Sequence, residues 1–191
     1  MITGIILASA SPRREQLLRQ VGCEFRVEVS QAEENNAADL PPAELVRVHA
    51  LAKARAVAAT APAGEIVIGA DTLVVLAGKV YGKPKSAADA ESMLAKLAGR
   101  THSVWSGVAV VTAGRCLTEA VETKVTLARL TPEQIRRYVA TGEPLDKAGA
   151  YAVQERGALF VERLAGCYFN VVGLPLQALS RLLAQVGVEL L

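Results

Sequence analysis

The sequence predicts an α/β domain built on a mixed β-sheet, and two observations carry this prediction. Apolar strand-like runs alternate with helical runs along the whole chain, which is typical of α/β proteins. Two long β-type runs, 102–112 and 115–129, are separated by Ala113-Gly114, which favours an antiparallel hairpin. Because a long hairpin rules out an all-parallel sheet, we expect a mixed sheet with helices packed around it.

The remaining elements follow from apolar periodicity and from helix caps. Strands are predicted over 4–8, 25–29, 65–70, 73–77, 102–112, 115–129, 159–163 and 168–172. Helices are predicted to begin at Ser11, Pro41, Ser86, Thr131 and Pro175, and the last four are expected to end near residues 61, 97, 142 and 187. Ser86 with Asp89, and Thr131 with Gln134, have the spacing of a capping box. The segment 143–150 is expected to be a loop rich in charge and glycine.

The composition limits the class of protein. The chain has 191 residues, of which 51% are hydrophobic and 21% charged, so one domain over residues 1–191 can bury a full core. A net charge of +2 is too balanced for a general binder of nucleic acids or membranes, so we expect neither partner. Any attraction for anions must then come from a few cations in one place. The three cysteines lack CxxC spacing, which favours a reduced cytoplasmic setting.

The loop after the first strand has the composition of an anion site. Ser9, Ser11, Arg13 and Arg14 lie between a buried strand and a helix N-terminus, where backbone N–H groups favour anions. Arginines in a first helical turn oppose the helix dipole, which costs about 0.3–1 kcal/mol each unless an anion docks there. The loop therefore predicts phosphate binding, and two solvated arginines on an exposed turn are the alternative.

A lone acid, Asp71, stands between the apolar runs Ile66–Ile68 and Leu73–Leu76. A carboxylate in a buried strand is unfavourable unless it is paired, hydrogen-bonded or bound to a metal. The pattern leaves open a structural ion pair, a metal ligand and a general base. Glu33 and Glu34 offer a second carboxylate, although acids in a loop are usually only solvated.

Other polar residues are weaker signals. Lys53, Lys83 and Lys147 are candidate cations, although each by itself is most simply a surface lysine. His49 and His102 have no partner at metal-ligand spacing, so a core or capping role is expected for them. A cation-lined site with one or two carboxylates suits metal-assisted chemistry on a phosphate ester.

Six blocks occur in order along the chain, and together they resemble the Maf-type nucleoside triphosphate pyrophosphatases. They are SASPRR at 9–14, GADT at 69–72, GKP at 82–84, HSVWSGV at 102–108, EPLDKAGAY at 143–151 and GLP at 173–175. The resemblance implies a single Maf-like domain with an elongated mixed sheet flanked by helices, like that of the inosine triphosphate pyrophosphatases, and two lobes with a cleft. It also implies a divalent metal cation (Mg²⁺, Mn²⁺ or Co²⁺) and a cytoplasmic location.

Three positions make the chain similar to the branch of this family that acts on dTTP and UTP. They are Arg13, Thr72 and Gln154, where the branch that prefers 7-methyl-GTP has tryptophan, glutamine and glutamate. The chain departs from the family pattern at two positions. Glu155 stands where a glycine commonly follows the glutamine, and Ser106 replaces a usual threonine.

The residues and the resemblance together predict an enzyme that hydrolyses dTTP and UTP, or modified pyrimidine triphosphates, to the monophosphate and pyrophosphate. Asp71 is predicted to be the general base, and Glu34 and Asp71 the metal ligands. The predicted substrate-binding residues are Ser9, Ser11, Arg13, Arg14, Lys53, Thr72, Lys83 and Gln154. We expect a homodimer with a house-cleaning role in nucleotide metabolism.

Two other classes of function remain open at this point. One is a non-catalytic, nucleotide-binding regulator of cell division or septum formation, a role with which proteins resembling this family have been linked. The other is a nucleotidyltransferase that uses the same metal and triphosphate geometry. For Gln154, the alternative to base recognition is a side chain that hydrogen-bonds only its own loop.

Overall fold

The computed structural model describes residues 4–33, 35 and 40–190. Within these residues the helices are α1 (Pro12–Gln20), α2 (Pro42–Ala58), α3 (Ala87–Leu97), α4 (Pro132–Val139), α5 (Tyr168–Val172) and α6 (Leu176–Ala184). The strands are β1 (Gly4–Leu7), β2 (Arg26–Val27), β3 (Glu65–Leu76), β4 (Lys79–Tyr81), β5 (Thr101–Thr112), β6 (Arg115–Leu127) and β7 (Val161–Ala165). Three 3₁₀ helices, Glu143–Asp146, Ala148–Ala150 and Glu155–Phe160, lie between α4 and β7. None of the described helices is both long and apolar enough to cross a membrane.

The seven strands form one mixed sheet. Six follow the order β2-β1-β3-β5-β6-β7, and β4 pairs with β3. β1 is parallel to β2 and β3, with Leu7 opposite Ile68, whereas β4 is antiparallel to β3 and β7 is antiparallel to β6. The neighbours β5 and β6 are joined by Ala113-Gly114, and Gly114 takes a positive φ of 96° that suits a tight turn. The predicted α/β class, a mixed sheet flanked by helices, is confirmed.

The structure differs from the predicted elements in several places. The segment 143–150, predicted as a loop, contains two 3₁₀ helices, and the strand predicted over 159–163 is shifted to Val161–Ala165. The segments predicted on either side of Asp71 form one continuous strand, β3, because this buried carboxylate has hydrogen-bonding partners. The strand predicted over 25–29 is only Arg26–Val27. The prediction of a strand over 168–172 is wrong, since these residues form α5. In α5 the buried Asn170 amide donates to the Val104 carbonyl oxygen at 3.0 Å, and such tertiary contacts override β propensity.

The chain folds into two compact units, and the first holds the described residues of Met1–Asp71, Ser106–Val121 and Gly173–Leu191. One cluster of its core consists of small and β-branched residues from α2, the strands and the end of β1, namely Ile6, Ala8, Ala50, Ala54, Val57, Val67, Ala109 and Val111. Two strand glycines let the backbone of α2 lie directly on the sheet. A side chain at Gly69 would overlap the carbonyl oxygen of Ala50, and one at Gly107 would overlap that of Val46. The distance between α2 and the strands β3 and β5 is therefore set by these two glycines, whose lack of a side chain permits the close contact.

The second unit consists of Thr72–Trp105 and Glu122–Val172. One cluster of its core contains leucine and aromatic residues, among them Leu94, Leu97, Leu127, Tyr138, Tyr151 and Phe160. The two helix starts predicted within this unit, at Ser86 and Thr131, are confirmed. The Ser86 hydroxyl accepts from the Asp89 N–H, and Thr131 and Gln134 form a reciprocal capping box at the start of α4.

His102 is buried in the second unit as a neutral side chain. Its Nε2 atom lies 2.7 Å from the hydroxyl of Tyr151, and the two rings meet edge to face. Its Nδ1 atom is buried and has no hydrogen-bond partner among the described residues. Burial lowers the pKa of His102 to about 4. The core role expected for this histidine agrees with its burial.

We expect His102 to make the protein less stable in mild acid. Its folded pKa is about 4 and its ordinary pKa is 6.5, so the unfolded chain takes up the proton first as the pH falls. The contribution of this group is therefore complete above pH 6.5 and is lost between pH 6.5 and 4, on the order of 3 kcal/mol in all. Urea unfolding of wild type and His102→Gln at pH 7.5, 5.5 and 4.5 measures it. Equal losses of unfolding free energy in both proteins would contradict the assignment.

Candidate active site

Asp71 lies within the apolar strand β3 and is 3% exposed. Its Oδ1 atom accepts a hydrogen bond from the ammonium of Lys53 at 2.7 Å, and its Oδ2 atom lies 3.1 Å from Nδ1 of His49. The Lys53 ammonium also lies 3.4 Å from the carbonyl oxygen of Ala70. Both oxygens of the predicted catalytic acid are therefore occupied by side chains of α2.

His49 and Lys53 reach the same carboxylate because they lie four residues apart on α2. Residues at this spacing lie on one face of a helix, and the close packing of α2 on β3 brings that face to Asp71. The sequence prediction included Lys53 but missed the contact that His49 makes. The available signal was the spacing of His49 and Lys53 on a helix that precedes the strand of a lone buried acid.

The surroundings of Asp71 keep it ionised. Burial alone would raise its pKa. Hydrogen bonds from His49 and Lys53 and the positive charges of Lys53 and Arg14 outweigh burial and lower the pKa of Asp71 to about 2. At neutral pH the residue is a carboxylate in a cationic environment. Such a group can orient a water molecule next to a phosphate that the cations bind.

The predicted anion loop is held together by Ser9. Its hydroxyl oxygen accepts from Nη1 of Arg14 at 3.1 Å and from the backbone N–H of Ser11 at 3.3 Å. The Nε atom of Arg14 donates to the carbonyl oxygen of Gly173 at 2.8 Å. Ser11 occupies the N-cap position of α1 with extended backbone, although its side chain makes no capping hydrogen bond. Arg13, in the first turn, is half-buried.

The loop adjoins Asp71 because β1 and β3 are parallel neighbours. The N–H of Ala8 donates to the carbonyl oxygen of Ile68 at 2.8 Å, so the chain leaves β1 beside the segment that leads to Asp71. The first unit therefore brings together four of the predicted site residues, Ser9, Arg14, Lys53 and Asp71. These residues lie where the carboxyl end of a strand meets the N-terminus of a helix, which is the usual place for phosphate sites in α/β sheets.

Three other predicted site residues belong to the second unit. Thr72 follows Asp71 along β3 and is half-buried, and Lys83 is exposed. Gln154 is half-buried and immediately precedes the 3₁₀ helix Glu155–Phe160. Glu34, the predicted second metal ligand, lies outside the described residues.

Lys147 is not the surface residue that a lone lysine suggests. It is 6% exposed, and its ammonium donates to the carbonyl oxygen of Glu143 at 2.7 Å and to Oδ1 of Asp146 at 2.8 Å. Burial of a lysine needs such partners, and a sequence pattern without their positions gives no sign of them.

A metal ion is implied by the family resemblance, and the described residues supply one of its two predicted ligands. Asp71 offers the hard carboxylate oxygens that Mg²⁺ and Mn²⁺ prefer, but both accept hydrogen bonds here. Within residues 4–33, 35 and 40–190, no group of three or more His, Cys, Asp and Glu side chains is arranged to hold a metal.

Comparisons with known proteins identify the family. The sequence model of the family described as Maf-like protein matches residues 4–186. The chain is 56% identical over 188 residues to the dTTP/UTP pyrophosphatase of Moorella thermoacetica, covering 97% of this chain and 96% of that one. It is 52% identical over 183 residues to the dTTP/UTP pyrophosphatase of Symbiobacterium thermophilum, covering 96% and 94%. The chain belongs to the Maf-like protein family.

A solved structure of a nucleoside-triphosphatase, the dITP/XTP pyrophosphatase from Mycobacterium abscessus, aligns with 96% of this chain and 94% of its own at 18% identity, with a TM-score of 0.48. The fold class given above rests on the strand order of the chain itself.

Proposed function

We propose that this member of the Maf-like family is a nucleoside triphosphate pyrophosphatase that converts dTTP and UTP to the monophosphate and pyrophosphate. Relatives more than 50% identical over nearly the whole chain carry the name dTTP/UTP pyrophosphatase. The structural observation that carries the proposal is the ionised Asp71 held by Lys53, with Arg14 close enough to lower its pKa. The arrangement combines a carboxylate that can orient a water molecule with cations that can bind the phosphates of a nucleotide.

The reaction assigned to this site is attack of water on the α-phosphorus. A new bond forms between the water oxygen and the α-phosphorus, and the bond to the oxygen that bridges the α- and β-phosphates breaks. Pyrophosphate leaves with the electron pair of that bond, and Asp71 takes the proton from the water. A carboxylate with a low pKa is a weak base, so orienting the water is as much part of its role as accepting the proton.

The cations are assigned to the phosphates. Arg14 is oriented by Ser9 and by the Gly173 carbonyl, so its guanidinium is fixed before substrate arrives. Arg13 and the first N–H groups of α1 lie at the N-terminus of that helix, next to the Ser9 loop. Lys53 is assigned to both Asp71 and the phosphates of the substrate. Lys83 is assigned to the phosphates as well. These groups neutralise charge that develops on the leaving pyrophosphate.

Divalent metal dependence is part of the proposal. Asp71 together with Glu34 would hold the ion, which would neutralise phosphate charge and lower the pKa of water. Mg²⁺, Mn²⁺ or Co²⁺ added to protein treated with EDTA is expected to restore turnover, and full turnover in EDTA would contradict the assignment.

Base choice is assigned to Gln154, with Thr72 as the neighbour that fixes its amide and Arg13 holding the base or sugar. The edge of uracil or thymine presents an N3–H donor beside the O4 acceptor. The glutamine amide oxygen accepts from the first, and its NH₂ group donates to the second. An ionised glutamate has no donor for O4 but accepts from the N1–H and N2–H₂ groups of guanine.

Gln154→Glu is expected to change the preference among nucleotides. The kcat/KM for dTTP and UTP should fall by about 10-fold or more relative to GTP, since one or two hydrogen bonds are worth about 1–3 kcal/mol of discrimination. Steady-state kinetics on dTTP, UTP, CTP and GTP measure the ratio. Equal losses on every nucleotide would mean that Gln154 supports only its own loop.

The proposed activity is tested with purified protein, a panel of ordinary and modified triphosphates, and analysis of both products. The expected result is one pyrophosphate and one monophosphate per substrate, with dTTP and UTP preferred. Release of orthophosphate would overturn the reaction assigned here, and transfer of the monophosphate to an acceptor would indicate a nucleotidyltransferase. The cytoplasmic location and the homodimer remain predictions from the sequence, and light scattering tests the second.

A further inference from the structure

The carboxylate of Glu143 accepts three hydrogen bonds within the second unit. Its Oε1 atom accepts from the hydroxyl of Tyr138 at 2.9 Å and from the backbone N–H of Gly157 at 3.0 Å. Its Oε2 atom accepts from the backbone N–H of Arg156 at 3.2 Å. Hydrogen bonds to a carboxylate are stronger than those between neutral groups. Glu143 therefore ties the end of α4 to the start of the 3₁₀ helix Glu155–Phe160.

The two bonded amides, of Arg156 and Gly157, lie two and three residues after Gln154. Between them and Gln154 stands Glu155, whose φ of +58° is a left-handed conformation that disfavours residues other than glycine. The chain holds this conformation with a glutamate at the position. The hydrogen bonds from residues 156 and 157 to Glu143 supply the constraint that keeps the turn in place.

Packing around the same turn leaves little room for another arrangement. A side chain at Gly157 would lie 2.7 Å from the Tyr138 hydroxyl and would also overlap the backbone of Ala152. The ring of Tyr138 meets that of Phe160 edge to face, with centroids 4.9 Å apart. Residues on both sides of Gln154 are therefore packed near Tyr138, which donates to Glu143.

We propose that Glu143 is a positioning residue for base selection: by holding the turn of residues 154–157 it sets the direction of the Gln154 side chain. The inference rests on the proposed function, since it takes Gln154 as the residue that meets the base. Glu143 touches no substrate in this arrangement and acts through the backbone of Arg156 and Gly157.

A merely structural role for Glu143 predicts a different result. Loss of a structural contact lowers stability and reduces activity equally on every nucleotide. Loss of a positioning contact changes the ratio of kcat/KM between nucleotides and acts mainly through KM, because the groups assigned to phosphate chemistry belong to other segments.

Three variants separate these roles. Glu143→Gln keeps the shape and one oxygen but turns the other acceptor into a donor that faces an N–H. Tyr138→Phe removes one of the three donors and leaves both amide bonds in place. Glu133→Gln is the matched control, because its carboxylate pairs with Arg136 and Arg137 on the surface of α4. For each protein, kcat and KM are measured on dTTP, UTP, CTP and GTP, and hydrogen–deuterium exchange is followed at the amides of 156 and 157.

For Glu143→Gln we expect the dTTP:CTP ratio of kcat/KM to fall at least fivefold, with kcat on dTTP within threefold of wild type. The amides of Arg156 and Gly157 should exchange at least tenfold faster. Tyr138→Phe should shift both readouts in the same direction by less, and Glu133→Gln should match wild type. If Glu143→Gln does not fold, the ratio in Tyr138→Phe decides.

Two results would overturn the inference alone in an active wild-type protein. One is an unchanged nucleotide ratio in Glu143→Gln, which includes equal losses on all four nucleotides, and the other is unchanged exchange at the two amides. A wild-type protein that hydrolyses none of the four refutes the proposed function and the inference with it. The two failures are thus distinguished by the wild-type assay.

Discussion

Asp71→Asn is expected to reduce turnover of dTTP by roughly 10²-fold or more while leaving nucleotide binding largely intact. Asparagine keeps the size of the side chain and one oxygen in the place where the aspartate meets Lys53 and His49. It cannot accept a proton from the attacking water. Single-turnover kinetics measure the chemical step, and titration calorimetry with dTTP measures binding.

Metal ligation is the competing role for Asp71, and the same variant separates it from general-base chemistry. If Asp71 mainly binds metal, raising the concentration of Mn²⁺ should restore part of the lost turnover, whereas a missing base is not replaced by more metal. Asp89→Asn, on α3 in the second unit, is the control for an aspartate-to-asparagine change. Nearly unchanged turnover in Asp71→Asn would show that another residue activates the water. A non-catalytic regulatory role should survive the substitution.

Lys53→Met is expected to lower both stability and activity. It leaves the carboxylate of Asp71, whose side chain is 5% exposed, without its charged partner, which costs about 3 kcal/mol for a buried pair. For a domain of this size that loss lowers the Tm by about 10 °C. The kcat/KM on dTTP should fall by about 10²-fold, because a cation on the phosphates acts in both ground and transition states. Calorimetry and steady-state kinetics measure the two effects.

Lys96→Met, at an exposed position of α3, controls for the loss of a lysine. The double variant Lys53→Met/Asp71→Asn tests the reason for the destabilisation. Because it removes both charges, it should unfold at a higher temperature than Lys53→Met alone. Additive losses would mean that the two side chains stabilise the fold independently, and the ion pair would then not be the cause.

The order of strands and helices was predictable where local signals are strong. Capping residues at 86 and 131 and the Ala113-Gly114 turn act within a few residues, and the structure agrees with each. The helix at 168–172 was not predictable in this way, because contacts of Asn170 with residues 66 and 47 positions away hold it in place.

The candidate site was predictable in composition but not in partners. A buried acid in β3 requires a counter-charge, and the sequence offered several lysines for it. Which lysine pairs with Asp71 depends on where α2 lies on the sheet, and that is a tertiary property. Similarly, the three contacts of Glu143 join residues up to fourteen positions apart, so the sequence showed only a charged loop.

The close contact of α2 with Gly69 and Gly107 also places two side chains of this helix at Asp71, in addition to the packing of its apolar residues in the core. His49 and Lys53 reach Asp71 only at the helix-to-sheet separation that Gly69 and Gly107 permit. A methyl group at either glycine would push α2 outward and draw two polar side chains away from the carboxylate, even in a protein that still folds. The geometry of the site around Asp71 therefore depends on Gly69 and Gly107, which carry no functional group. A substitution at position 69 or 107 would therefore reduce activity and would be mistaken for a packing defect of the core. Its first effect would be to separate Lys53 and His49 from the charged carboxylate of Asp71.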